Sequence, residues 1–129
     1  MDKQTVRFTK QVISLKLERC LELRFANKKL REVCERQAIA RRQLGDVSAH
    51  KLRTRLADLD AADHVSDLVA GRPHALAGKR LGQYAVDLAG GARLVFAPAN
   101  DPVPRRPDRS IDWSVVTIIC IEYIDDYHE

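Results

Sequence analysis

Gln83-Tyr84-Ala85-Val86-Asp87-Leu88-Ala89-Gly90-Gly91-Ala92-Arg93-Leu94-Val95-Phe96-Ala97 is the stretch that decides the fold. Tyr84, Val86 and Leu88 alternate, as in a strand with one covered face, and Ala92 to Ala97 is again strand-like. Gly90-Gly91 between them signals a tight hairpin, because both central positions of such a turn want positive φ. Downstream, Val115 to Ile121 is apolar on both parities, the pattern of a central strand buried on two faces. Between the two lie Pro98 to Asp112, with four of the five prolines plus Arg105, Arg106 and Arg109, which can only be a loop.

Working back toward the N-terminus, Gly71-Arg72-Pro73 is a breaker, since proline fixes its own φ and restricts the residue before it. A short turn is expected at Val65 to Val69. Before it, Asp46 is placed to cap a helix over Val47 to Ala62, with Leu52, Leu56 and Leu59 as its buried stripe. Lys51, Arg53, Arg55 and Asp58 are then assigned to its solvated side. An earlier helix is expected from Lys28, capped by Asn27, and ended by Gly45. Leu21, Leu23 and Phe25 alternate as in extended structure. Residues 1–20 read as an extension, where Ile13, Leu15 and Leu17 favour a strand and a helix over Val12 to Cys20 is the alternative. The whole is α+β: a small antiparallel sheet with N-terminal helices packed on one face.

A chain of 129 residues, 45% hydrophobic and 31% charged, suits one domain with a real core. Its formal charge of +4 allows an anionic partner without demanding one. No stretch is long and apolar enough for a bilayer, and Met1-Asp2-Lys3-Gln4 does not open a secretory signal, so a cytoplasmic protein is expected. Cys20, Cys34 and Cys120 are odd in number and widely spaced, which points to neither a disulfide framework nor a zinc site. No phosphate loop, His-Glu-x-x-His helix or nucleophile elbow occurs, and no metal or cofactor is expected.

Three polar clusters remain. Arg72, His74, Lys79 and Arg80 precede the first hairpin strand, Arg93 lies inside the second, and Asp126, Tyr127 and His128 close the chain. A last strand lying next to both hairpin strands would bring them together. Two imidazoles, a phenol and several cations suit RNA cleavage through the 2′-hydroxyl, in which a base takes the 2′ proton, an acid protonates the leaving 5′ oxygen and cations stabilise the phosphorane. Arg93 has the best local case, because a charge inside a hairpin strand must face water, a partner or a ligand. Arg105 and Arg106 are candidates for RNA phosphates against the plainer reading of a solvated loop. Trp113 fits core packing better than base stacking.

From Leu21 onward the chain resembles the RelE/ParE superfamily of type II toxins, in its HigB-like branch. The carrying pieces are Leu21-Glu-Leu-Arg-Phe25, Lys28-Lys-Leu-Arg-Glu-Val-Cys-Glu35, Arg72-Pro-His-Ala-Leu-Ala-Gly78, Gly82-Gln-Tyr-Ala-Val-Asp-Leu88, Arg93-Leu-Val-Phe-Ala-Pro98 and Asp126-Tyr127-His128. The resemblance implies metal-independent cleavage of mRNA on translating ribosomes. It also implies a helix-turn-helix antitoxin as partner, with operator DNA reached through that antitoxin. His74 then matches the family histidine, Arg93 the phosphate-stabilising arginine, and Asp126, Tyr127 and His128 the C-terminal catalytic group. The family lysine falls on Ala77 here, and Lys79 is the nearest substitute. Two alternatives stay open: a degenerate toxin that only binds an antitoxin, which Ala77 favours, and a gyrase poison like the ParE relatives.

Overall fold

The computed structural model describes residues 20–126, so the readings for residues 1–19 and for Tyr127 and His128 lie outside the described residues. Five strands run β1 (Glu22–Phe25), β2 (His74–Ala75), β3 (Tyr84–Asp87), β4 (Ala92–Pro98) and β5 (Ile118–Asp126), with helices α1 (Lys28–Glu35), α2 (Gln37–Leu44) and α3 (Asp46–Ala61) between β1 and β2. The sheet order is β1-β5-β4-β3-β2. β2 to β5 are antiparallel neighbours, whereas β1 joins β5 in parallel, so the expected antiparallel sheet is a mixed one.

The hairpin forms as read. Gly90 and Gly91 take φ of 63° and 90°, and the Leu88 and Ala92 backbones close the turn at 2.8 Å. β5 lies between β4 and β1, not beside both hairpin strands, so the last strand touches the hairpin through β4 alone. It begins at Ile118, because Trp113–Val115 forms a short 3-10 turn first. Where β4 meets β5, pairing steps from Val95 with Tyr123 to Phe96 with Ile121, which leaves Glu122 as an extra residue. Such a bulge reverses the faces that follow it. Ile119 and Ile121 therefore lie in the core under the helices, while Tyr123 joins the opposite face.

The helical part departs from its reading in three ways. First, the segment after Asn27 is two helices, because Arg36 adopts an extended φ/ψ of −121°/110° and breaks the run. The break lets Leu30 and Val33 of α1 and Ala40 of α2 each bury against the same core. Second, Gly45 (φ 86°) precedes α3, and Asp46 is its first residue rather than its cap. Third, Arg55 is 8% exposed, with Nε 3.4 Å from Asp58 Oδ2, and does not belong to a solvated face. The Asn27 cap does form, its side chain accepting from the Leu30 N–H at 2.8 Å.

The core sits between helices and sheet and is centred on Phe96, Leu52, Leu59, Leu94, Ile119 and Ile121, all essentially inaccessible. Each such side chain contributes about 1.5–3 kcal/mol by leaving water. Trp113 packs tilted against Tyr84 with ring centroids 4.7 Å apart, and Tyr84 lies 5.6 Å from Phe96, so the tryptophan ring closes one edge of this core. The long loop before it is fastened by Asn100. The Asn100 Oδ1 accepts from the Thr117 and Ile118 N–H groups, each at 3.1 Å, and its Nδ2 donates to Thr117 Oγ1 at 2.9 Å. Asn100→Ala leaves those strand-entry donors unpaired and is expected to cost about 1–3 kcal/mol in chemical denaturation.

Cys34 also packs on the core, and burial, with Glu35 beside it, pushes its thiol up to about 12. An unfolded thiol ionises near 9.0, so this contribution to stability is whole below that pH and is lost as pH rises from there toward 12. Denaturation curves recorded across that window are expected to fall more steeply for the native chain than for Cys34→Ala.

Candidate active site

The sheet face turned away from the helices carries the candidate chemistry. Its floor is apolar and small: Leu76, Ala85 and Val95, with Tyr123 packed against them. The register sets His74, Ala85, Val95 and Tyr123 in one row across four strands, and Asp87, Arg93 and Asp125 in the next. With strands about 4.8 Å apart and about 3.3 Å per residue, the Cα atoms of His74 and Arg93 stand roughly 12 Å apart. Their side chains can thus flank a group the size of one phosphate.

His74 is placed by the breaker before it. Gly71 and Arg72 take positive φ of 85° and 49°, and the Gly71 carbonyl accepts from the Asp87 N–H at 2.6 Å, which turns the chain onto the edge of β3. The Arg72 carbonyl then meets His74 Nδ1 at 2.7 Å. A carbonyl can only accept, so Nδ1 carries the proton, and Nε2 of a neutral imidazole is left with its lone pair. Arg72 Nε donates to Asp87 Oδ2 at 2.7 Å, which fixes that guanidinium beside the histidine turn.

Arg93, the second residue of β4, is 9% exposed and lies between Asp87 on one side and Asp125 on the other in register. In the register Asp125 stands opposite Arg93, and Asp126 opposite Ala92. Arg80 lies over the Tyr123 ring at 5.1 Å, a cation–π geometry, while Tyr123 Oη donates to Gln83 Oε1 at 3.2 Å.

The expected clusters are therefore brought together in part. Arg72, His74, Arg80 and Arg93 border one face. Lys79 sits exposed on the 3-10 turn Gly78–Arg80, one residue from Arg80. Arg105 and Arg106 stand on the β4–β5 loop, away from the row of His74, and line a separate cleft with Leu76, Gln83 and Trp113. Asp87, Tyr123 and Gln83 were not singled out from the sequence. Asp87 was detectable, since it alternates with Ala85 on the polar side of a strand. Tyr123 was not, because only the bulge at Glu122 turns it to this face. Among the described residues, no three His, Cys, Asp or Glu side chains cluster as metal ligands, and no helix is long and apolar enough to cross a membrane.

Among the described residues, three helices pack against one face of an open five-stranded mixed sheet, and no helix covers the other face. Among solved structures the chain is similar to the YoeB dimer from Staphylococcus aureus, with a TM-score of 0.50 and 17% identity over 84% of this chain and 98% of that one. That likeness is one of fold. No family model matches the chain, and no curated protein matches it by sequence.

Proposed function

We propose that the protein is the toxin of a type II toxin–antitoxin system and cleaves mRNA through its own 2′-hydroxyl. The observation that carries this reading is His74, held with Nδ1 on the Arg72 carbonyl at the border of a face that also holds Arg72, Arg80 and Arg93. RNA strand cleavage without a nucleophile of the protein's own needs a base, an acid and cations around one phosphate.

His74 Nε2 accepts the 2′ proton as the 2′ oxygen attacks phosphorus. Arg93 and Arg72 stabilise the added charge on the phosphorane oxygens. The bond to the 5′ oxygen breaks, and that oxygen receives a proton from the C-terminal group, Tyr127 or His128, with Asp126 beside them. The products are a 2′,3′-cyclic phosphate and a 5′-hydroxyl. Lys79 takes the place of the family lysine missing at Ala77, from the same turn that carries Arg80. The resemblance to the HigB-like branch supports translating ribosomes as the setting and a helix-turn-helix antitoxin as the partner.

Induced expression is expected to arrest growth and shorten cellular mRNA, and co-expression of the adjacent antitoxin gene to restore both. Intact mRNA with tight antitoxin binding would support the degenerate-toxin alternative, which the missing lysine favours. DNA damage in place of mRNA cuts would indicate a gyrase poison.

A further inference from the structure

The β4–β5 loop does more than connect strands. Residues 104–112 fold back on themselves as a small hairpin. Arg105 bridges Ile111, the Arg106 N–H donates to Ser110 O at 2.8 Å, and the Asp112 N–H donates to Pro104 O at 2.9 Å. Asp108 is held as a carboxylate by the Ser110 side chain and N–H, which pull its pKa down. Arg109 sits at the tip with φ of 76°, a conformation that a non-glycine residue keeps only when its surroundings hold it there. Its carbonyl accepts from Arg105 Nη1 at 2.8 Å.

This held hairpin faces the β2–β3 connection across a cleft of about 730 Å³, within the range of small-ligand sites. Its walls are Leu76, Leu81, Ile111 and Trp113, and its rim carries Arg105, Arg106 and Arg109 against the carboxylate of Asp108, with Asp112 Oδ1 3.9 Å from Arg106 Nη2. Leu81, which lines the cleft, is 80% exposed. An apolar slot under three guanidinium groups matches a flat, uncharged ring attached to a phosphate.

We propose that this cleft holds a nucleotide of the RNA strand flanking the scissile phosphate, its base against Leu81 and Trp113 and its phosphate on Arg106 and Arg109. That the nucleotide flanks the scissile phosphate rests on the nuclease reading. Two features favour RNA over an acidic peptide. Leu76 belongs both to the floor of the catalytic face and to the cleft wall. Gln83 likewise lines the cleft while its Oε1 accepts from Tyr123 on that face. Arg80, over Tyr123, adds a cation along the same path. A strand leaving the catalytic face in this direction enters the cleft directly.

Trp113 is the chain's one tryptophan and serves as the probe. A single-stranded RNA 12-mer titrated into the full-length His74→Ala protein is expected to quench its fluorescence saturably. Arg106→Ala with Arg109→Ala, and separately Leu81→Ser on the exposed turn, are each expected to weaken that binding about tenfold, as loss of phosphate contacts or of base packing does. Circular dichroism checks that the variants stay folded. RNA that binds by anisotropy without quenching, and equally well to these variants, would overturn the proposal. So would quenching by an acidic leucine-containing peptide but not by RNA. The two readings separate cleanly. Quenching by RNA that the native protein never cuts sustains the cleft as an RNA site and removes the nuclease; cutting without quenching does the reverse.

Discussion

His74→Ala is expected to lower RNA cleavage by about a hundred- to ten-thousand-fold, the range for loss of a general base, while leaving the fold intact. The side chain is half-buried on a two-residue edge strand, and among the described residues its Nδ1 hydrogen-bonds the Arg72 carbonyl. Losing that bond is worth about 1 kcal/mol, too little to unfold the chain. A rate assay on translating ribosomes, paired with a denaturation curve, measures both quantities. A variant that cuts as fast as the native protein would remove His74 from the reaction. A fall in cleavage matched by loss of folding would assign the residue a structural task instead.

Gly71→Ala is expected to have the largest effect on the scaffold that presents the site. Gly71 has φ of 85°, which costs a residue with a Cβ about 1–3 kcal/mol. A Cβ there would also lie 2.9 Å from Arg55 Cδ and Nη1, and 3.3 Å from the Asp87 carbonyl oxygen. Arg55 is itself packed inside the protein next to Asp58, so it has little room to retreat, and overpacking of this kind adds about 1–3 kcal/mol. The strain falls on the turn that supplies the Arg72 carbonyl to His74 and Arg72 to Asp87. Thermal unfolding is therefore expected to shift down and cleavage to fall together. Shortening the obstacle in the double variant Arg55→Ala, Gly71→Ala should relieve the clash but not the φ strain, a sub-additive pair. Strict additivity would show that Arg55 and Gly71 do not meet.

Much of this architecture was written in local pattern. Alternation around Tyr84, Val86 and Leu88, with two glycines behind, specifies a hairpin because strand period and turn chemistry agree. Prolines marked the 98–112 loop. Strand neighbours are another matter: nothing local says that β5 inserts between β4 and β1, and the parity of Ile119 and Ile121 carries Tyr123 to the wrong face unless the extra residue at Glu122 is known. Arg55 was readable and misread. It lies three residues after Leu52 and four before Leu59, on the same helical face as both, so the spacing that buries the leucines buries it too.

For the site, Arg72, His74, Arg80 and Arg93 were visible as a charged turn and a strand arginine. Their shared face follows from the register of β2, β3, β4 and β5, which is a tertiary fact. The partners that give those groups direction, Asp87 for Arg72 and the Arg72 carbonyl for His74, are local in space but fifteen and two residues away in sequence.

The chemistry of the cut ends puts the strand-cleavage reading to the most direct trial. RNA recovered from translating ribosomes treated with the purified protein is expected to carry 5′-hydroxyl termini opposite 2′,3′-cyclic phosphates, because the attacking oxygen belongs to the RNA. Ends bearing 5′-phosphates would mean that water attacked instead, and the roles given to His74 and Arg93 would fail.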